Sequence, residues 1–503
     1  MRIAKRLPWS ILVILVLAVL FRFIYIGTES LWLDEAVNVL LCEEGWGSIR
    51  EFCVDDGAHP PLYFILLHLW TLLFGQSEVA VRLPSALMGI IAVFLTCKVG
   101  YELYSRRVGL IAGFLLAISS FPVCYSQEVA PYSLLLMLTL LSFFIYIRIL
   151  KEDKPGKKHL ILFALVNVLL CYTHLFGVFT AGAQVLYYIL YRRRYAGARN
   201  VFWVTQAVTL LVFAPWIYVL ITNGILNDTA RGLAWIPEPS LSLLNSIARG
   251  LAGAGFAGSA WGTFLMWFLI VLCLAGIFYL PGAMRIGQKK KKAKNTERAT
   301  RISLFAEPET NLILIWLLLP FVMALIISFA YKPILVDRYL IGIVPALYLL
   351  AARGIVNIAS LIGDGSTRAK ATTAVLFIIV AAVTASGLYS YYADYHKLDW
   401  RGATAYIGQY AQPGDAIVFY PDYERWPFVY YYGGEPEITI ISHRAVLGDT
   451  GAVAGNERLW LLQLPLGTEK DVSIQRELFY RFGDEALIGW EIVEPFIIYL
   501  FDI

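Results

Sequence analysis

The sequence predicts a polytopic α-helical membrane protein with a small α/β domain at its C-terminal end. Three observations predict this. Of 503 residues, 59% are hydrophobic and only 16% are charged, whereas soluble domains carry about 25% charged residues. Runs such as LPWSILVILVLAVLFRFIYIG and ATTAVLFIIVAAVTASGLYSYY exceed the roughly 18 to 20 residues that a helix needs to cross hydrocarbon. After Tyr392 the composition changes to charged stretches, turn residues and short β-rich runs.

The first run follows Arg2, Lys5 and Arg6, as a signal peptide would. Its apolar core is longer than an ordinary signal core, and no small-x-small cleavage site precedes Trp32, so it reads as a retained span. The net charge of +4 says little about partners, because placement of Lys and Arg matters more than their sum.

Basic clusters order the remaining runs. They are MRIAKR at the start, YSRR near 104–107, KEDKPGKKH at 151–159, RRRYAGAR at 192–199, RIGQKKKKAKNTERATR at 285–301 and DGSTRAK at 364–370. Cytoplasmic loops collect such residues. Placing all six inside puts spans at 81–103, 108–125, 131–150, 160–176, 178–191, 201–222, 260–281, 311–331, 339–362 and 371–392. With the first run the expected count is about eleven, plus or minus two. The run PPLYFILLHLWTLLFG at 60–75 is short and led by two prolines, so parity makes it a juxtamembrane or re-entrant helix.

The expected division is a membrane-embedded part over 1–393, with a first external loop at 28–80, and an extracytoplasmic α/β domain over 394–503. In the latter, DAIVFYP, EITIIS, RLWLLQL and WEIVEPFIIYLFDI read as strands, alternating with helical patterns at 399–411 and 471–483. The tract NDTARGLAWIPEPS at 227–240 is either a lid or an ordinary linker.

Six cysteines contain no CxxC pair, which argues against a zinc or redox motif. Cys97, Cys124, Cys171 and Cys273 fall in spans, as small apolar side chains. Cys42 and Cys53 share the first external loop. They either pair as a disulfide in an oxidising exterior or stay thiols, and spacing alone leaves both open.

On this topology the external loops collect Asp34, Glu35, His59, Arg82, Glu128, His174, Asp337 and Arg338 close to the membrane. Ionisable groups at membrane depth are costly and usually line a cavity or pair with one another. Each has a plain role too. Arg82 and Arg338 suit interfacial anchors, His174 suits a helix cap, and Asp34 and Glu35 suit the positive end of a helix. Gathered on one face, they suit group transfer from a lipid-linked phosphate. A carboxylate accepts a proton from an incoming hydroxyl, while Arg, His or a metal stabilises the departing phosphate.

The motifs LWLDEA, HPPLYFILLHLW, VRLPSALMG, YSQEVAPYSLLLML, YTHLFG and DRYLIGIVPALYLLAARG resemble, in order and spacing from about residue 8 to 390, the polyprenyl-phosphate-sugar-dependent glycosyltransferases of the GT-C fold group. That group includes bacterial family-39-like proteins, protein O-mannosyltransferases and lipid A aminoarabinose transferases. The resemblance implies an inverting single displacement in the cell membrane, onto a glycan, lipid or protein acceptor outside the cytoplasm. It implies Asp34 as base, Glu128 as the acid of the second external loop, and His59 and Arg338 as substrate contacts. Arg82, Tyr132 and Glu35 join them as substrate-binding candidates, Glu35 chiefly as a capping residue. A divalent metal ion held by His59, Glu128 and His174 is the cofactor the resemblance allows. The chain departs from the group at Ala130, where an arginine is common, and at His59, where aminoarabinose transferases often place lysine. Two other readings stand beside it: a flippase for lipid-linked saccharides, which should carry charges at mid-span and a repeat between halves, and a non-catalytic scaffold.

Overall fold

The computed structural model describes residues 8–222, 235–256, 259–277, 307–363, 366–448, 453–464 and most of 476–503. The basic tract at 285–301 and residues 227–234 of the expected lid lie outside the described residues. The chain divides into two compact units. The first comprises Met1–Ile24, Gly45–Leu73 and Arg82–Tyr395; the second comprises Tyr25–Glu44, Phe74–Val81 and His396–Ile503.

The helices run in order as α1 (Trp9–Phe23), α2 (Leu33–Glu44), α3 (Trp46–Asp56), α4 (Leu62–Phe74), α5 (Glu78–Leu103), α6 (Arg106–Ile118), α7 (Ser120–Ser126) and α8 (Tyr132–Lys151). Then follow α9 (Lys157–Thr173), α10 (Phe176–Tyr191), α11 (Arg199–Thr222), α12 (Leu241–Leu251), α13 (Ser259–Ile277), α14 (Pro308–Ala330), α15 (Val344–Leu361) and α16 (Thr367–Ala393). Among the described residues, seven helical stretches are long and apolar enough to cross a membrane, or eight if the bent pair α6–α7 is one span. Helices α1, α4 and α10 are shorter apolar helices.

The expected span at 108–125 is broken. Helices α6 and α7 meet at 60° because Ser119 is extended, with φ −74° and ψ 127°. Pro122 then supplies no N–H to continue the ladder. A break inside an apolar bundle leaves helix carbonyls in need of donors. Arg22, at the end of α1 and fully buried, provides them: its guanidinium donates to the Leu116 and Ala117 carbonyls at 3.4 and 3.3 Å and to Ser126 Oγ at 3.2 Å. Gly89 makes the room, since a Cβ there would lie 2.6 Å from Arg22 Nε.

A second polar staple joins α8, α9 and α10. Ser142 donates to Asn167 Oδ1 at 2.5 Å, Asn167 to Gln184 Oε1 at 3.3 Å, and Gln184 back to Ser142 at 2.7 Å. All three side chains are fully buried, and the closed ring satisfies each of them. Helices α13 and α15 cross at glycines so tightly that a Cβ on Gly354 would lie 1.9 Å from the Leu272 carbonyl. Small residues at such crossings let backbones approach within a membrane.

The second unit holds α17 (Trp400–Tyr410), β1 (Ala416–Tyr420), α18 (Arg425–Tyr431), β2 (Thr439–Ser442), α19 (His443–Gly448), β3 (Arg458–Gln463), β4 (Leu487–Val493) and β5 (Phe496–Asp502). The sheet order is β2-β1-β3-β5-β4. Strand β1 pairs in parallel with β2 and β3, while β5 is antiparallel to β3 and β4. Alternation along the strands covers both faces. Ile417, Phe419, Trp460 and Leu462 pack with Trp400 and Phe428 on one side; Ala416, Val418, Leu459 and Leu461 pack with Val446 and Leu478 on the other. The run at 490–503 is a hairpin rather than one strand, and most of the helical pattern at 471–483 lies outside the described residues.

Residues 25–44 are stitched to this sheet unit by polar contacts. Glu29 accepts from the Lys397 N–H at 3.0 Å and pairs with His396 Nδ1 at 3.2 Å. The Arg401 N–H donates to Ser30 Oγ at 3.2 Å, and the Leu31 N–H donates to Tyr431 Oη at 2.7 Å. All six cysteines, Cys42 and Cys53 included, are buried thiols. Cys42 stands on α2 and Cys53 on α3.

Candidate active site

In the first unit the chain breaks its helices where the predicted residues fall. Helix α3 ends on Gly57, left-handed at φ 64°, and Pro60–Pro61 prevent continuation while suiting the start of α4. His59 is held in that turn, its ring stacked on Phe52 at 5.7 Å. His174 ends α9 in an extended conformation. Its Nδ1 accepts the Phe176 N–H at 3.2 Å, capping α10. Asp337 Oδ1 accepts the Arg338 N–H at 2.7 Å and starts the 3-10 turn Arg338–Ile343 that leads into α15.

These turns converge. His174 lies 4.8 Å from the Tyr339 ring and 6.1 Å from Tyr132, within electrostatic reach of both His59 and Arg338. The Arg338 guanidinium packs over the rings of Trp235 at 4.9 Å and Tyr132 at 5.7 Å. Beside them is a cavity of about 390 Å³ lined by His59, His174, Phe176, Phe179, Ile327, Tyr331, Lys332, Ile334 and Tyr339, among others. Most of its wall is hydrocarbon and aromatic, and its polar groups are imidazoles, an ammonium and phenols. That chemistry receives an apolar chain with an anionic head.

Glu128 sits in the turn between α7 and α8, 3% exposed, with Cys124 Sγ 3.7 Å from its Oε1. Tyr125 lies within electrostatic reach of Glu128 and Asp337 and packs on Tyr132 at 5.1 Å. Helix α5 passes the same turn: Ser85 Oγ donates to the Ala130 carbonyl at 3.5 Å. Arg82, one turn earlier on α5, is 1% exposed and lies on the same helix face. Ala130 is itself buried at 5% exposure.

The metal set His59–Glu128–His174 is not assembled. Among the described residues no group of three or more His, Cys, Asp or Glu side chains is arranged to hold a metal. The reason is local: His174 is committed to capping α10 and both imidazoles line the cavity, while Glu128 is turned to Cys124.

In the second unit the two acids of LWLDEA part company. Glu35 is fully buried. Its Oε2 accepts from Lys397 Nζ at 2.8 Å and from the Trp32 N–H at 3.4 Å, which closes the first turn of α2 as a capping box does. Its carboxylate is engaged in a buried ion pair and in the helix start. Asp34, in the same turn, is half-buried.

Sequence reasoning missed Lys332, Tyr331 and Tyr339. The signal was present in YKPILVDRY, a short polar break between two spans with a cation at each end. It also passed over Arg22, near the end of the first apolar run.

A bundle of apolar helices with broken turns at its polar residues, joined to a small sheet unit, defines a membrane protein of the GT-C fold. The profile of the family described as dolichyl-phosphate-mannose-protein mannosyltransferase matches residues 58–219. No curated protein sequence matches the chain significantly. Among solved structures, ArnT from Cupriavidus metallidurans in the apo state is similar with a TM-score of 0.58 at 12% identity, over 97% of each chain. The same protein bound to undecaprenyl phosphate gives 0.57 at 12% identity, over 99% of this chain and 98% of that one. The Archaeoglobus fulgidus oligosaccharyltransferase AglB, in complex with an inhibitory peptide and a dolichol-phosphate, gives 0.53 at 13% identity, over 96% of this chain and 73% of that one.

Proposed function

We propose that the chain is a membrane glycosyltransferase that moves a sugar from a polyprenyl-phosphate carrier to an extracytoplasmic acceptor by inverting single displacement. The carrying observation is the cavity of about 390 Å³, in which Phe176, Phe179, Ile327 and Ile334 meet Lys332, His59 and His174. Its size falls within the range of small-ligand sites. Apolar walls suit isoprenoid units, and Lys332 supplies a point charge for phosphate. The Arg338 plane, set by Trp235 and Tyr132, suits bidentate contact to phosphate oxygens. The similarity to ArnT bound to undecaprenyl phosphate and to AglB in complex with a dolichol-phosphate supports the same ligand class.

In the reaction, an acceptor hydroxyl oxygen bonds to the anomeric carbon as the bond from that carbon to the phosphate oxygen breaks. The hydroxyl proton passes to Asp34, and the phosphate leaves with both electrons, stabilised by Arg338 and Lys332. The distribution of basic clusters supports an outer position for these loops.

The test is reconstituted protein given a panel of polyprenyl-phosphate sugars and an envelope extract as acceptor, with released polyprenyl phosphate as the readout. Asp34→Asn should insert and melt normally yet lose about 10² to 10⁴-fold in turnover. Full turnover in that variant removes Asp34 from the mechanism. Movement of labelled carrier across the vesicle without donor consumption would instead make the protein a flippase.

A further inference from the structure

A second cavity lies within the first unit, where α6 and α16 begin. It is a groove of about 400 Å³ bounded by α1, α6 and α16. The two longer walls repeat one pattern. On α6 it runs Arg107, Leu110, Ile111, Phe114; on α16 it runs Lys370, Thr373, Ala374, Phe377. Spacings of three, four and seven residues put each set on one helix face. Each wall therefore starts with a cation and carries a phenylalanine two turns on, and the two rings meet at 5.0 Å. Arg107, Lys370 and Ala374 are exposed, so the groove opens on the outside of the bundle.

The charge at its mouth is of one sign. Ser105 and Ser366 cap the two helices, accepting the Val108 and Ala369 N–H groups at 3.3 and 3.1 Å, so both turn positive dipole ends this way. Arg106 is directed to α1, donating to Ser10 Oγ at 3.1 Å. Glu102, at the end of α5, is paired with Arg148 and Lys151. Among the described residues no acid is ion-paired with Arg107 or Lys370.

The groove is also remote from the candidate active site. At about 1.5 Å per residue, α16 covers about 31 Å between Lys370 and Tyr391, close to the roughly 30 Å of a hydrocarbon core. Tyr391 Oη donates to Gln127 Oε1 at 2.9 Å, beside Glu128. A lipid head at Arg107 and Lys370 would thus sit at the opposite membrane face from one at Glu128.

We propose that this groove binds an acidic glycerophospholipid, with its phosphate at Arg107 and Lys370 and an acyl chain along the wall that ends at Phe114 and Phe377. Arg107 offers a fork to phosphate oxygens and Lys370 a point charge. Two cations without a facing acid favour an anionic head over a zwitterionic one, whose ammonium they would repel. The lipid would bridge α6 and α16 from the leaflet opposite the reaction. The proposal does not depend on the glycosyltransferase reading.

The full chain, delipidated in a neutral detergent, is titrated with phosphatidylglycerol or phosphatidylcholine, and native mass spectrometry gives the apparent Kd. Wild type should prefer phosphatidylglycerol by at least about tenfold. Arg107→Ala and Lys370→Ala should each weaken it roughly fivefold, and the double variant roughly 25-fold. Arg106→Ala/Arg368→Ala removes the same charge from the same helix ends but not from the groove lining, and should change the Kd less than twofold. Ala374→Trp keeps both cations and fills the groove at an exposed position, so it should lose phosphatidylglycerol while melting like wild type in detergent. Undecaprenyl phosphate should bind all these variants as it binds wild type.

Equal Kd values for the two phospholipids would make the groove a seat for any acyl chain and overturn the proposal. Equal losses in the two double variants would reduce it to a diffuse basic face, and wild-type binding by Ala374→Trp would remove the chain seat. Parallel loss of undecaprenyl phosphate would assign the groove to the carrier instead.

Discussion

The two units gather opposite chemistries. The first sets Lys332, His59 and His174 around an apolar cavity and holds Arg338 between aromatic rings. The second carries Asp34 and Glu424 on packed elements and ties Glu35 to a single buried lysine. Holding a lipid phosphate and accepting a proton make contrary demands on a field. A carboxylate bonded to arginine is held well below its ordinary range and becomes a poor base. The difference teaches that the cavity cations and the acids Asp34 and Glu424 are held by different sets of local contacts.

The largest effect should come from breaking the pair that fixes the acidic segment. Both side chains of Lys397–Glu35 are nearly inaccessible, at 6% and 1%. Removing one partner of a buried ion pair typically costs about 3 to 5 kcal/mol, because the other charge is stranded. Lys397→Met should therefore raise hydrogen exchange across the β1–β3 strands and leave exchange in α13 and α15 unchanged. The double variant Glu35→Leu/Lys397→Met should recover most of the loss. Equal losses in the single and double variants would show that the pair is not what anchors the segment.

On the cationic side, Arg338→Ala removes a charge-assisted contact worth about 1.5 to 3 kcal/mol. The donor KM should rise roughly 10 to 100-fold, with exchange in the second unit unchanged. Arg338→Lys should recover only part of this, since an ammonium cannot make the bidentate contact. Native mass spectrometry of bound undecaprenyl phosphate checks it: equal occupancy in wild type and Arg338→Ala would take Arg338 out of the phosphate site.

The membrane class was legible because hydrocarbon imposes a coarse, one-dimensional rule on sequence. The helices α5, α8, α11, α14 and α16 lie where apolar runs were counted. Short β-rich runs between turn residues likewise announced β1 and β3. What was not legible depends on contacts between residues distant in sequence. Nothing in residues 25–44 says that they pack with a sheet formed after residue 396; that depends on Glu29, Ser30 and Glu35 meeting residues 396–401. The break at Ser119 was hidden because the hydropathy of 108–125 is continuous, and only the Arg22 donors make it tolerable. At the candidate site, His59, Arg338 and Asp34 were named from motif position. Glu424 carries no motif, and a carboxyl group in a surface-like stretch such as PDYERW looks solvated until burial is known.

The smallest expected effect is also the sharpest probe of the acidic unit, because its sign is fixed. Burial opposes the charge on Asp415, but the Arg458 guanidinium, Trp460 Nε1–H and the Gln412 N–H outweigh it and hold the carboxyl below its ordinary range. For Asp422, burial is likewise outweighed by the His443 N–H, the Ser442 hydroxyl and the His443 ring. Their contribution to stability is present above the unfolded-state value of 3.8 and is lost as pH falls through the folded value. Glu424 runs the other way. With its folded value raised from 4.5 to about 7, its contribution is fully present below 4.5 and is lost as pH rises through 7. The second unit should therefore be most stable on the acid side of neutrality. Glu424→Gln should flatten the decline above it, gaining about 1 to 3 kcal/mol over wild type near pH 8. Asp415→Asn should flatten only the acid limb. If hydrogen exchange in β1 and β3 showed wild type and Glu424→Gln equally stable at both ends of this range, Glu424 would have to ionise as freely in the fold as in the unfolded chain, which its buried Oε2 makes incompatible with this packing.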